Sequence, residues 1–309
     1  MDIGLIGFGL GVGMLVGMTG IGGGSLMTPL LILVFGVKPV TAVGTDLAYG
    51  AITKTVGGYK HFRQSTVDVR LSTWMGLGSV PAAVAGVYVL EALQRAHGDG
   101  FDNLLLTLLS GALLLCGAAT LARALFLKQM HERERERIDL QTRHKAAAVV
   151  LGVFVGFVLG VTSAGSGALI AVGLILIFRL VPTRVVGTDV FHAAILLWAA
   201  ALAHVVAGNV DFGMAGTILL GSVPGVWLGS QWSVRVPVSV LRTALAVLLI
   251  GSGLGLLSKA GTGVPDAVLA TFPALVALLV AGAAWRERRG RRAASRPAGA
   301  IGRAEQPAA

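Results

Sequence analysis

Two apolar stretches, 3–36 and 147–178, are too long for one membrane-crossing helix, and small residues interrupt each of them. A single helix over the first stretch would be about 51 Å long at 1.5 Å per residue, whereas the hydrocarbon core of a bilayer is about 30 Å thick. We therefore interpret each stretch as two short helical pieces joined at a break. The breaks contain the polar and glycine residues Thr19, Gly20, Gly22, Gly23, Gly24 and Ser25 in the first and Thr162, Ser163, Gly165, Ser166 and Gly167 in the second.

The two breaks belong to an internal duplication. A shift of 143 residues superposes 17–86 on 160–229 without a gap, and 25 of the 70 pairs are identical. Low complexity alone would match glycine and leucine, but here His61 also matches His204 and Val43-Gly44-Thr45-Asp46 matches Val186-Gly187-Thr188-Asp189. The chain therefore contains two related repeats.

Composition places these repeats in a membrane. Hydrophobic residues make up 55% of the chain and charged residues 13%, against about 25% charged in a soluble domain. The further apolar segments long enough to cross a bilayer are 40–59, 71–93, 103–123, 185–203, 212–234, 238–258 and 264–285. The predicted fold is an all-α integral membrane protein, a polytopic helical bundle.

Lysine and arginine indicate the orientation of this bundle. If each broken stretch returns to the side it came from, as a re-entrant hairpin or a pair of short helices, 21 of the 25 basic residues fall on one side. Only Lys38, Arg95 and Lys259 fall on the other side, and Lys54 lies inside a span. The repeats are then inverted relative to each other, and we expect the N-terminus outside the cytoplasm and the C-terminus inside.

This topology divides the chain into five segments. Repeat 1 covers 3–127 and repeat 2 covers 146–258, joined by a charged cytoplasmic linker at 128–145. An additional span follows at 264–285. The arginine-rich tail, 286–309, is predicted to be disordered and cytoplasmic, and its charge suits anionic lipid, so we expect no nucleic-acid partner.

Inverted repeats with broken helices at matching positions are typical of secondary transporters whose site lies between the repeats. Backbone amides and hydroxyls freed at the breaks cannot face lipid and favour an anion, so all the break residues above are candidate substrate contacts. The alternative is that these small residues only allow close helix packing. Thr45 and Thr188, near the breaks in the repeat pattern, join the candidate list.

Three charges lie inside predicted spans. Asp46 and Asp189 are equivalent positions, and we consider two roles for them: proton or cation coupling, or capping of helix N-termini. Lys54 has no counterpart, since Leu197 stands at its position. It suits an anionic substrate, a carboxylate partner such as Asp46 or Asp189, or a side chain that extends to the interface. His61 and His204 suit interfacial hydrogen bonds or gating. We expect no metal site, cofactor or enzymatic activity.

The motifs resemble a known family. The run Gly17 to Gly24, the segment Ala42-Val43-Gly44-Thr45-Asp46-Leu47, and their second-half copies look like the TauE/SafE family of sulfite-exporter-type membrane proteins, over about 5–258. The resemblance implies a permease of the bacterial inner membrane for small anions such as sulfite or sulfonates. In the second copy, Ser163, Ala164 and Ser166 replace Gly20, Ile21 and Gly23, which makes symmetric roles doubtful.

The function hypothesis is therefore a secondary transporter of a sulfur-containing oxyanion that works by alternating access between the repeats. Its partners are a small anionic substrate and the lipid bilayer, and self-association is left open. The alternatives are a proton- or cation-coupled transporter of another small substrate through Asp46 and Asp189, or a membrane assembly partner that transports nothing.

Overall fold

The computed structural model describes residues 3–19, 24–125, 135, 140–233 and 238–265, together with scattered positions between 267 and 282. The helices in these ranges are α1 Ile3–Thr19, α2 Gly24–Val34, α3 Pro39–Arg63, α4 Val69–His97, α5 Phe101–Leu125, α6 Thr142–Thr162, α7 Leu169–Leu176, α8 Pro182–Val206, α9 Phe212–Ser233 and α10 Val238–Lys259. Each long apolar stretch thus forms two helices, α1 and α2 in the first and α6 and α7 in the second.

Five helices are long and apolar enough to cross a membrane: α4, α5, α6, α8 and α9. Together with the all-helical architecture of the described residues, they confirm the predicted polytopic helical membrane protein. Helix α3 is not among the five, because its charged residues, including Asp46 and Lys54, lower its hydropathy. The described positions between 267 and 282, inside the predicted last span, are helical. The predicted tail, 286–309, lies outside the described residues.

The duplication governs helix packing. In the first repeat α1 packs along α9, and in the second the equivalent helix α6 packs along α4, so each repeat lends its first helix to the other. The equivalent pair α3 and α8 pack against each other at the centre, and α5 packs against α10.

The direction of these pairs follows from their close contacts. Along α3, Gly50 lies against Leu197 and Gly58 against Phe191 of α8, so the numbering runs in opposite directions and the helices are antiparallel. Antiparallel packing of equivalent helices is the geometry that inverted repeats require. The inversion relative to a membrane stays a prediction.

Glycines make the exchanged helix pairs possible. Gly9, Gly13 and Gly17 of α1 face Ile218, Ser222 and Val226 of α9, so these helices run parallel, and a Cβ added at Gly13 would lie 2.4 Å from the Ser222 carbonyl oxygen. The equivalent seam lies in the other repeat, where a Cβ added at Gly156 would lie 2.2 Å from the Ser79 carbonyl oxygen. Small residues four apart therefore bring two helix backbones into contact, as in tightly packed membrane helices. The four-residue spacing of these glycines is visible in the sequence.

Residues near the helix ends of the two halves meet at both ends of the bundle. At one end the Arg184 guanidinium donates to the Val67 carbonyl at 3.0 Å, and Lys145 lies over the Trp74 ring. At the opposite end the Lys259 ammonium donates to the Ile32 carbonyl at 2.8 Å. Arg184 and Lys145, both assigned to the basic side, therefore lie at the same end of the structure.

Candidate functional site

Asp46 and Asp189 occupy equivalent places in the central helices. Each is the eighth residue of its helix, counted from Pro39 in α3 and from Pro182 in α8, and each is buried. A residue at this depth cannot cap its own helix, because the unpaired amides lie in the first turn. The capping alternative is therefore wrong for the helices that carry these aspartates.

Asp46 joins three parts of the chain. Its Oδ2 atom accepts from the Thr28 hydroxyl of α2 at 2.6 Å and from the Ser163 hydroxyl of the second break at 2.8 Å. The two hydroxyl oxygens are 2.6 Å apart. The other carboxyl oxygen, Oδ1, is buried and has no hydrogen-bond partner in the structure. Asp46 thus links the first repeat to the break of the second.

The second break continues from Asp46 to Asp189. Ser163 ends α6 in the left-handed region at φ 57°, and Gly165 and Gly167 follow at φ 119° and φ 93°. This backbone path leads the Gly167 amide to Asp189, whose Oδ1 accepts from it at 3.1 Å. Asp46 and Asp189 therefore hold the two ends of the break, which is buried along its length.

Two cations lie on the Asp189 side of the break. Lys54 of α3 and Arg123 of α5 are 6% and 8% exposed, and the charges of both act on Asp189. The Lys54 Nζ atom is buried and has no hydrogen-bond partner in the structure. The same is true of the Ser166 hydroxyl in the break. The alternative that Lys54 extends to the interface is wrong, because its ammonium is enclosed by protein. The ion pair between Arg95 and Glu91 is exposed and lies outside this region.

Thr45 and Thr188, which were predicted to contact substrate, form hydrogen bonds between the two halves of the bundle. The Thr45 hydroxyl accepts from the Asp211 amide at 3.0 Å, and the Thr188 hydroxyl accepts from the Asp68 amide at 2.9 Å. Both threonines are buried, and each thus holds the start of α9 or α4 of the opposite repeat. Their contact with substrate stays a prediction.

The remaining break residues are placed unevenly. Thr162 donates to the Val158 carbonyl at 2.6 Å within α6, and Ser25 is buried in α2. Thr19 ends α1 and Gly24 begins α2, as the predicted first break requires. Gly20, Gly22 and Gly23 lie outside the described residues.

Histidines mark a further difference from the sequence analysis. His61 Nδ1 lies 3.0 Å from the Thr66 hydroxyl, and His204 Nε2 lies 3.0 Å from the Gly160 carbonyl at the end of α6. His204 is fully buried, so its bond is internal rather than interfacial. The sequence analysis missed His192, whose ring nitrogens lie 3.3 Å from Ser72 Oγ and 3.1 Å from Ser79 Oγ.

Two other buried polar side chains near Asp46 escaped the sequence analysis, Thr28 and Tyr49. Tyr49 follows Asp46 by three residues, as His192 follows Asp189, so these pairs share a helix face. That spacing was available in the sequence. Thr28 has no such signal, because only the folding of α2 onto α3 brings it to Asp46.

The centre of the bundle is closed in this conformation. Asp46, Asp189 and Lys54 are at most 6% exposed. A cavity of about 260 Å³ lies elsewhere, at the basic end of the bundle, and is lined by Arg135, Arg143, His144, Leu176, Ile177, Phe178 and Arg179. A solute can reach the two aspartates only after the helices move.

Known proteins share this sequence over most of its length. A family model described as "Sulfite exporter TauE/SafE" matches residues 5–256. The chain is 37% identical over 257 residues to "Probable membrane transporter protein YjnA" of Bacillus subtilis (strain 168), covering 83% of this chain and all of that protein. It is 27% identical over 246 residues to "Probable membrane transporter protein YdhB" of the same organism, covering 80% and 96% respectively. No solved structure matches the chain significantly.

Proposed function

The chain belongs to the sulfite exporter TauE/SafE family of membrane transporters, and on that premise we propose that it carries a small sulfur-containing oxyanion, sulfite or a sulfonate, by alternating access. The observation that carries the choice of an anion is the enclosed ammonium of Lys54. Removing an unpaired charge from water costs several kcal/mol, so a buried cation needs an anionic partner.

Asp189 is a further part of the proposed anion site beside Lys54. It accepts a hydrogen bond from the Gly167 amide, and it lies within electrostatic range of two buried cations, Lys54 and Arg123. The enclosed Lys54 ammonium has no hydrogen-bond partner in the structure, and a small anion bound beside it would neutralise its charge. The unpaired Ser166 hydroxyl in the adjacent break is a suitable donor to an anion oxygen.

The closed centre and the exchanged helices support alternating access. The anion site lies where α3, α8 and the second break meet, between the repeats. In secondary transporters of this architecture, the halves move around a site near the bilayer midplane. We place the protein in the bacterial inner membrane, with the N-terminus in the periplasm and the basic end, including the C-terminus, in the cytoplasm. This orientation rests on the distribution of lysine and arginine.

The proposal is tested by flux of radiolabelled sulfite in proteoliposomes, measured in both directions. Lys54→Met removes the charge and keeps the length of the side chain. A charge-assisted contact is worth about 1.5 to 3 kcal/mol, so we expect kcat/KM to fall about tenfold or more. Lys60→Met is the matched control, because Lys60 lies exposed on the same helix, and it should retain flux.

Two results would contradict the anion site. One is equal flux in the Lys54→Met and Lys60→Met proteins. The other is the absence of flux for sulfite and for simple sulfonates under either polarity of a pH gradient. A binding measurement accompanies the flux, because a ligand that binds only the folded state raises its apparent stability. Sulfite should raise the melting temperature of the wild type more than that of Lys54→Met.

A further inference from the structure

Three oxygen atoms, from α2, α3 and the second break, lie at hydrogen-bond distance from one another, and their hydroxyl groups supply too few protons for three hydrogen bonds. Thr28 Oγ1, Ser163 Oγ and Asp46 Oδ2 form a triangle whose edges are 2.6, 2.6 and 2.8 Å. These are O–H···O hydrogen-bond distances, and each such bond needs its own proton. The two hydroxyls supply only two protons. If Asp46 is ionised, one edge brings two oxygen atoms together with no proton between them.

We propose that Asp46 carries the third proton in this conformation and is the site at which the transporter binds and releases the proton that drives transport. In the closed ring, Asp46 Oδ2–H donates to Ser163, the Ser163 hydroxyl donates to Thr28, and the Thr28 hydroxyl donates to Asp46 Oδ2. This proposal rests on the proposed function, since it specifies how that transporter is coupled.

A metal cation fits the triangle poorly. Oxygen ligands at right angles around Mg²⁺, the smaller of the common hard cations, are about 2.9 Å apart, and around Ca²⁺ they are further apart still. All three edges are shorter than that separation. The unpartnered Oδ1 atom also favours a neutral acid, because an ionised carboxylate would leave charge on a buried oxygen that accepts no hydrogen bond.

The surroundings of Asp46 contain little that would hold it ionised. Helices α2 and α9, which pack against α3, carry no ionisable side chain. On α3 the charge of Asp46 acts on Tyr49, and Lys54 lies eight residues further along. The ionisable groups of α8 that lie near the centre are Asp189, His192 and His204, and α5 contributes Asp102, Cys116 and Arg123.

Those groups of α8 and α5 have other neighbours. His192 lies between Ser72 and Ser79, His204 contacts the Gly160 carbonyl, and the charge of Arg123 acts on Asp189. Asp102 is exposed in the first turn of α5. Asp46 is thus surrounded by two hydroxyls, the Thr28 backbone amide and apolar groups, whereas cations lie near Asp189.

Loss of the proton gives the ring a mechanical consequence. When Asp46 is ionised, both hydroxyls turn toward the carboxylate and the Thr28–Ser163 contact becomes a repulsion between lone pairs. Ser163 belongs to the break of the second repeat, and Thr28 and Asp46 belong to the first. The protonated and deprotonated transporters therefore differ in a contact between the two halves.

Infrared spectroscopy of the purified protein tests the proton directly and needs no substrate. A neutral buried carboxyl group gives a C=O stretch that a carboxylate does not, and we expect the wild type at neutral pH to show this band. The band should disappear in Asp46→Asn and remain in Asp189→Asn. An absent band in the wild type, or an unchanged band in Asp46→Asn, overturns the proposal.

A second variant covers the case in which Asp46→Asn does not fold. Thr28→Val removes one hydroxyl of the ring and should shift the band. Thr120→Val is the matched control, because Thr120 is also buried but its hydroxyl donates to the Cys116 carbonyl at 2.8 Å within α5. A band that moves equally in both valine variants, or in neither, contradicts the ring.

Transport separates this proposal from the proposed function. With sulfite as the probe, Asp46→Asn should lose accumulation driven by a pH gradient, while sulfite counterflow at equal pH stays within about twofold of the wild type, since asparagine resembles the neutral acid. Gradient-driven accumulation that survives in Asp46→Asn overturns the coupling role. If the wild type moves no sulfite in either assay, the proposed function fails, and the infrared bands alone decide whether Asp46 holds the proton.

Discussion

Asp46 and Asp189 are copies of one residue in two environments. Both are eighth in a central helix and both contact the second break. Asp46 meets two hydroxyls, whereas Asp189 meets a backbone amide and lies within range of Lys54 and Arg123. The difference arises from a few neighbours. At the positions equivalent to Thr28 and Lys54, the second repeat has Ala171 and Leu197. One duplicated position thus contacts hydroxyls in one half and lies within range of cations in the other.

The contacts that hold the bundle together did not diverge in this way. The bonds from Thr45 to the Asp211 amide and from Thr188 to the Asp68 amide are images of each other. The glycine seams between α1 and α9 and between α6 and α4 also correspond residue by residue. The duplication preserved these contacts between the repeats and altered the centre, as expected of a symmetric scaffold around an asymmetric substrate pathway.

The largest effect should come from the seams. Gly13→Leu and Gly156→Leu each place a side chain where a Cβ alone would lie within 2.4 Å of a carbonyl oxygen on the facing helix. The helices cannot remain in contact, so we expect neither variant to yield a monodisperse folded protein in size-exclusion chromatography. Gly7→Leu is the control on α1, because its Cβ position is open. If one of these helix contacts tolerates leucine and the other does not, the two contacts are not equivalent.

The next largest effect separates the two histidines of the duplication. His204 is fully buried against the Gly160 carbonyl, whereas His61 is partly exposed beside Thr66. His204→Ala leaves a cavity and a buried unpaired carbonyl, which should cost about 2 to 4 kcal/mol of stability. His61→Ala should cost about 1 kcal/mol or less. Thermal unfolding in detergent measures both, and equal losses would show that burial does not distinguish these copies.

A smaller effect, on affinity, tests the charge difference between the aspartates. Asp189→Asn keeps an oxygen for the Gly167 amide and removes the negative charge that acts on Lys54 and Arg123. A site with more net positive charge should bind sulfite more tightly, and about 1 kcal/mol of electrostatic energy corresponds to a KM about fivefold lower. Asp46→Asn should leave KM for counterflow unchanged. A KM that rises in Asp189→Asn would remove Asp189 from the anion site.

Much of the fold was predictable because it depends on local composition. The lengths of the apolar stretches and their interruptions predict the broken helices α1–α2 and α6–α7, and proline at the first helical position marks the starts of α3 and α8. The exchange of α1 and α6 between the repeats was not predictable in this way, since it depends on which glycine seams fit together. The 143-residue shift identifies equivalent positions but not which helices touch.

The candidate site was predicted in part for the same reason. Asp46, Lys54 and Ser163 stand out as charged or polar residues in apolar surroundings, and the structure places all three in the buried centre. Thr28 and Arg123 did not stand out, because a threonine or a terminal arginine of an apolar helix is ordinary in a membrane protein. Thr45 and Thr188 were assigned to the substrate by their place in the motif, which carries no information on their partners.

The smallest effect concerns those two threonines and decides which role they have. Each hydroxyl accepts one backbone amide bond at the start of a helix of the opposite repeat. Thr45→Val and Thr188→Val remove this acceptor and keep the volume, so each should cost about 0.5 to 1.5 kcal/mol of stability. If these bonds only hold the repeats together, the two variants lose equal stability in thermal unfolding and the KM for sulfite does not change. A KM that rises in only one of the variants would place that threonine in the substrate pathway. The two halves would then differ at these threonines as well as at the aspartates beside them.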